Sequence, residues 1–135
     1  PSVQRLLAGI IMTNRILGFV NAPAIGQRVM AAALDSAVDV TVYRERRDAM
    51  AKALDGAGIE FSMPRGAFYF FPKAPGNGDD RAFVDRLMEE RILAIPGTGF
   101  GYPGYFRLTF CIDKGIIERS TEGFKRAADA ARSES

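Results

Sequence analysis

The segment "YFRLTFCI", residues 105–112, limits the possible folds more than any other part of the chain. Its apolar residues alternate, and in an extended strand alternate side chains point to opposite faces. One face is then uninterrupted and apolar: Phe106, Leu108, Phe110 and Ile112. The other face is mixed: Tyr105, Arg107, Thr109 and Cys111. A strand of this kind needs a covering layer on one side of its sheet, whereas the other side tolerates solvent or a ligand.

The remaining periodicity predicts helices on either side of short strands. Apolar residues recur at helical spacing in segments near 2–17, 23–37, 39–55 and 80–90, and again after Asp113. Extended segments are predicted at 59–63, 66–71, 92–96 and 105–112. From residue 39 onward this order predicts an α+β fold with a small, mainly antiparallel sheet covered by helices. The predicted helical core positions are Val42, Met50, Ala53, Leu54, Phe83, Val84, Leu87, Met88, Ile116, Ile117, Phe124, Ala127, Ala128 and Ala131.

Composition excludes several kinds of site. The 135 residues carry a net charge of +2, which is too small to indicate a nucleic-acid or membrane partner. Histidine is absent, so the chain itself provides no histidine-based catalytic triad and none of the common zinc sites, and we expect no metal. The single cysteine, Cys111, is predicted to be a small buried residue. Because one cysteine cannot form a disulfide within the chain, a reducing compartment such as the cytoplasm is expected.

Arg107 is the candidate binding residue. It follows a glycine-rich connection and points away from the apolar face of its strand, where a planar guanidinium suits bidentate capture of a carboxylate or phosphate. An ion pair with an acidic side chain, or a solvated sheet face, explains the same pattern. Tyr69, in the aromatic run "AFYFF", can bring its hydroxyl to a site, although core packing is the simpler interpretation.

Three stretches in order indicate a family: "PRGAFYFFP" (64–72), "LAIPGTGFG" (93–101) and "YFRLTF" (105–110). With a helix between the first two, they resemble the C-terminal small domain of the class I/II aminotransferases, the pyridoxal-phosphate enzymes of fold type I. The resemblance implies that residues 1–37 are a helical remnant of the large cofactor-binding domain. Residues 38–135 would be the small domain, beginning with the long interdomain helix.

The resemblance also implies roles for particular residues. Arg107 corresponds to the arginine that grips the substrate α-carboxylate, and Asn21 lies in a loop that approaches the cofactor region of the neighbouring subunit. None of the four lysines has the Ser-x-x-Lys setting of the lysine that forms the Schiff base; they are Lys52, Lys73, Lys114 and Lys125. We therefore expect no catalytic residue in this chain, no activity of the chain alone, and pyridoxal phosphate bound mainly by residues outside it.

The implied function is amino-group transfer between an amino acid and a 2-oxo acid by a longer, homodimeric parent enzyme. The sequence shows no targeting or membrane-spanning segment. Because it begins at Pro1 within an amphipathic pattern, we expect it to be a segment of a longer protein. Lyases and decarboxylases of the same fold share this domain. The alternative function is a non-catalytic module: an aminotransferase-like amino-acid binder or the effector domain of a transcription regulator.

Overall fold

The computed structural model describes residues 2–134, which form two compact units divided between Val38 and Asp39. The first unit contains helices α1 (Val3–Ile16) and α2 (Ala24–Ala32). None of residues 2–38 is buried. The assignment of this unit to the end of a larger cofactor-binding domain stays a prediction.

The second unit is an α+β layer, as the sequence predicts. Its elements follow in this order: α3 (Val40–Gly56), β1 (Tyr69–Phe70), α4 (Asp80–Glu89), β2 (Ile95–Pro96), a 3₁₀ turn (Gly97–Phe100), β3 (Phe106–Thr109), α5 (Lys114–Arg119) and α6 (Thr121–Ser133). The central strand is β3, flanked by β1 and β2, and both pairs are antiparallel.

The helices bury one face of this sheet. Helix α3 contacts α5 and α6, and α4 contacts α6 and β2. Phe106 and Leu108 of β3 are buried, whereas Arg107 and Thr109, which alternate with them, are only half-buried. The ring of Phe83 on α4 lies 5.0 Å from that of Phe106, measured between centroids. The predicted alternation in β3 is therefore confirmed, and Arg107 lies on the face away from the core.

Several predicted boundaries are wrong. Residues 59–63 form no strand. The Ile59 amide donates back to Leu54 O at the end of α3, and a single hydrogen bond, from the Lys73 amide to Glu60 O, is too few to build a strand pair. The strand predicted at 66–71 is confined to Tyr69–Phe70, after Ala67 adopts a φ of +57°. The second helix ends at Ala32, not near residue 37. The last predicted helix is interrupted at Ser120, which ends α5 and precedes α6.

Some residues predicted to be buried are exposed. Val42, Met88 and Ile116 are 41%, 54% and 48% exposed, respectively. Val42 lies at the start of α3, where residues 40–45 are all exposed, whereas Met88 and Ile116 are next to the buried Leu87 and Ile117 on their helices. Cys111 is also exposed. Strand β3 ends at Thr109, whose hydroxyl accepts a hydrogen bond from the Cys111 amide, so Cys111 lies outside the sheet.

Candidate functional site

Arg107 occupies the middle strand of the sheet, so its backbone is held from both sides. It is paired with Ile95 of β2, and the next residue, Leu108, is paired with Phe70 of β1. Phe106 and Leu108 anchor the strand in the core on either side of the arginine. The site therefore has a rigid base on which a long side chain projects outward.

Aromatic rings, not acids, surround the guanidinium of Arg107. Its central carbon lies 4.5 Å from the ring centroid of Tyr69 and 4.5 Å from that of Phe100. Within residues 2–134 no carboxylate lies at salt-bridge distance from Arg107 and no protein atom accepts a hydrogen bond from its side chain. Other arginines do have acidic partners: Arg47 with Asp48, Arg86 with Glu134, Arg126 with Glu90 and Arg132 with Asp129.

An open pocket of about 300 Å³ adjoins the arginine. Its lining consists of Tyr69, Leu93, Ala94, Ile95, Arg107 and Thr109. Among these lining residues Arg107 alone carries a formal charge at neutral pH. Cation–π contacts hold a guanidinium without neutralising it, so the pocket presents an uncompensated positive charge to an anion.

The turn that carries Phe100 is held by close backbone contacts. The Gly97 amide donates to Tyr105 O at 2.7 Å, and the Tyr102 amide donates to Gly97 O at 3.0 Å. A Cβ atom on Gly97 would lie 2.3 Å from Tyr102 O and 2.6 Å from Tyr105 O, so only glycine fits. This packing fixes the start of the turn against the entry to β3.

A buried carboxylate ties the same turn to α4. Asp80 is 5% exposed and accepts hydrogen bonds from the Thr98 amide at 2.7 Å and from the Thr98 hydroxyl at 2.8 Å. Burial raises the pKa of Asp80, but hydrogen bonds from Thr98 and from the amides of Gly104 and Asp80 itself outweigh that effect and hold its pKa below the ordinary value. Asp80 therefore stays ionised at neutral pH.

The structure brings Arg107 and Tyr69 together, in contact through ring and guanidinium. Asn21 belongs to the other unit, where it is exposed in the bend between α1 and α2. The sequence predicts no place in the site for Phe100, Asp80 or Thr98, although Phe100 stands in the "PGTGFG" stretch that carries the resemblance. Periodicity links only near neighbours and so could not join Asp80 to Thr98.

The lysines lie elsewhere. None lines the pocket beside Arg107. Lys52 and Lys114 line a different pocket among acidic side chains, and Lys73 lies 3.5 Å from a carboxylate oxygen of Glu60.

No group of His, Cys, Asp or Glu within residues 2–134 could hold a metal ion, and no helix in that range is long and apolar enough to cross a bilayer.

Comparison with known proteins decides the family. The model of the family described as aminotransferase class I and II matches residues 8–123. The chain belongs to the class I and II aminotransferases. Aspartate aminotransferase of Thermotoga maritima is 39% identical to it over 100 residues, which are 73% of this chain and 25% of the relative.

Other aminotransferases are similar to the chain. LL-diaminopimelate aminotransferase of Nitratidesulfovibrio vulgaris is 35% identical over 82 residues, which are 58% of this chain and 21% of that enzyme. The crystal structure of an amino transferase from Eubacterium rectale superposes with a TM-score of 0.81 at 31% identity, covering 92% of this chain and 31% of that one. This chain thus spans about a quarter of the length of the curated aminotransferases it matches.

Proposed function

We propose that the second unit is the substrate-carboxylate-binding small domain of a pyridoxal-phosphate-dependent aminotransferase. The observation that carries this proposal is the state of Arg107: a guanidinium on a rigid strand, in contact with two aromatic rings, without an acidic partner among residues 2–134, at the edge of an open pocket. A half-buried guanidinium without an acidic partner can bind a carboxylate from outside the chain, whereas the guanidinium of Arg126 is already paired with Glu90.

The chemistry of amino-group transfer suits one such arginine. An amino acid and a 2-oxo acid both carry a carboxylate next to the carbon at which the group is exchanged. A guanidinium that binds this carboxylate through two parallel hydrogen bonds orients the reacting carbon in both directions of the reaction. The relatives named for aspartate and LL-diaminopimelate support an amino-acid substrate for the complete enzyme.

The remaining parts of the reaction are assigned outside this chain. Pyridoxal phosphate, when bound, supplies the electron sink for the exchange, and we propose that the lysine that attaches it lies in another part of the enzyme. The first unit would then be the end of the large domain. Asn21 would approach the cofactor of the neighbouring subunit in a cytoplasmic homodimer.

The 135-residue chain with added pyridoxal phosphate should show no absorbance of a lysine-bound cofactor. Such absorbance would contradict the proposal that the attaching lysine lies outside this chain.

The deciding experiment uses Arg107→Ala in the complete enzyme. Two hydrogen bonds between charged groups are worth about 3 kcal/mol or more together, so KM for the amino acid and for the 2-oxo acid should each rise at least about a hundredfold. Arg107→Lys keeps the charge but loses the bidentate geometry and should give an intermediate KM. The absorbance of the bound cofactor should not change in either variant.

The matched control is Arg119→Ala, which removes an exposed arginine from α5. Its KM values should equal those of the wild type, because Arg119 does not line the pocket. If Arg107→Ala left both KM values unchanged, the assigned role of Arg107 would be wrong.

A further inference from the structure

We propose that Asp80 and Thr98 are positioning residues for substrate binding: they hold the turn Gly97–Phe100 so that the Phe100 ring keeps the Arg107 guanidinium oriented before the carboxylate arrives. The proposal rests on the proposed function of Arg107 and goes beyond it, because neither Asp80 nor Thr98 touches the arginine's pocket. Asp80 and Thr98 would act on Arg107 through Phe100.

The guanidinium of Arg107 needs a fixed orientation to bind a carboxylate tightly. Arginine has a long, flexible side chain, and ordering it during binding weakens the binding that results. An acidic neighbour would order Arg107 but would also compete with the substrate carboxylate for the same N–H donors. The rings of Tyr69 and Phe100 order it without that competition, since an aromatic face is not a strong hydrogen-bond acceptor.

The rings of Tyr69 and Phe100 are held in place differently. Tyr69 belongs to β1 and is fixed by its pairing with Thr109 of β3. Phe100 lies outside the sheet, at the end of a turn of four residues, and is 49% exposed. Its ring packs edge-on against that of Phe71, with 6.3 Å between centroids, while the position of its backbone depends on whatever fixes the turn. Gly97 fixes the beginning of the turn, and Thr98 is the next residue.

The contact with Thr98 is made by Asp80 and not by the aspartate next to it. Two aspartates stand together at the start of α4, and they have different partners. Asp79 caps the helix by accepting hydrogen bonds from the Arg81 and Ala82 amides. Asp80 instead directs both carboxylate oxygens to Thr98 and is buried there. Asp80 therefore serves the turn, and Asp79 provides a neighbouring carboxylate as a matched control.

The first measurement is spectroscopic and needs no substrate. Protons near the face of an aromatic ring are shifted upfield, so the δ and ε protons of Arg107 report on Phe100 in the NMR spectrum of the full 135-residue chain. Phe100→Leu measures the share of the shift that comes from this ring. Thr98→Val removes the hydroxyl at constant shape and should abolish at least half of that share, whereas Thr98→Ser should retain it. Asp79→Asn should leave the Arg107 shifts unchanged.

The second measurement is the KM of the complete enzyme. Thr98→Val and Asp80→Ala should raise KM for the amino acid roughly threefold to tenfold, with kcat changed less than twofold, because the loss is in substrate binding. Thr98→Ser and Asp79→Asn should keep the wild-type KM. If Asp80→Ala fails to fold, as circular dichroism would show, the comparison of Thr98→Val with Thr98→Ser decides.

The outcomes separate this inference from the function on which it rests. If Arg107→Ala raises KM while Thr98→Val and Asp80→Ala both leave the Arg107 shifts and KM unchanged, Asp80 and Thr98 do not position the arginine, and the proposed function stands. If Thr98→Val moves the shifts but not KM, the turn orients Arg107 without consequence for binding, and the inference is equally refuted. If Arg107→Ala leaves KM unchanged, the proposed function itself is wrong.

Discussion

Replacing Gly97 by alanine should destabilise the second unit strongly, although the change adds one methyl group. The new Cβ would lie 2.3 Å from Tyr102 O and 2.6 Å from Tyr105 O, both of them backbone atoms that cannot turn away as a side-chain end can. The turn or the entry to β3 must move by about 1 Å to reach ordinary van der Waals separation.

The magnitude follows from two contributions. Forcing an extra carbon into a close-packed position costs about 1–3 kcal/mol. The same movement weakens the hydrogen bonds that join Gly97 to Tyr105 and Tyr102, each worth about 0.5–1.5 kcal/mol. The free energy of unfolding should therefore fall by about 2–6 kcal/mol. For a domain of this size, 1 kcal/mol corresponds to roughly 4–8 °C in Tm.

The assay is urea unfolding followed by far-ultraviolet circular dichroism, with Gly99→Ala as the control. Gly99 lies in the same turn, but a Cβ there would meet no atom within 4 Å. Its substitution should leave stability within about 0.5 kcal/mol of the wild type or raise it slightly. If the two variants differed by less than about 1 kcal/mol, the close approach at Gly97 would not constrain the fold as argued.

Two further predictions concern charge and packing. The folded-state pKa of Asp80 lies below its ordinary value of 3.8, so its ionisation stabilises the fold at higher pH, and this contribution is lost as the pH falls through the folded-state pKa. Asp80→Asn should therefore flatten the acid side of the profile of unfolding free energy against pH, and a variant whose profile stayed parallel to the wild type would contradict the shift. Phe83 is 1% exposed, so Phe83→Ala should lower the free energy of unfolding by about 3–5 kcal/mol in the same urea titration. Ile116 is 48% exposed, so Ile116→Ala should lower it by less than about 1 kcal/mol. Equal losses would show that Ile116 belongs to the core.

Features that depend on residues close together in the sequence were predicted more accurately than features that depend on distant segments. The helix starts at α3 and α4 were close, since Asp39 and Asp79 cap these helices through hydrogen bonds to amides two or three residues away. The strand at 59–63 was wrong because an alternation of apolar and polar residues forms a strand only where a partner strand lies beside it. Residues 59–63 receive one backbone hydrogen bond of this kind, from the Lys73 amide to Glu60 O, and Lys73 lies outside β1.

The candidate site shows the same division. Alternation along β3 is sufficient to place Arg107 on the outer face, because the side-chain period of an extended chain is set by its own geometry. What surrounds the arginine required the fold. Phe100 contacts the guanidinium from a turn that is hydrogen-bonded to α4, through a carboxylate 18 residues away from its partner.

The amino-acid sequence by itself determined the α+β class, the one-sided burial of β3 and the outward direction of Arg107, since each depends on the order and period of residues along a short segment. Only the tertiary structure decided that two aromatic rings, and no acid among the described residues, contact the guanidinium, and that Cys111 and Ile116 face solvent. Those facts depend on which distant segments approach one another, and local periodicity carries no information about such approaches.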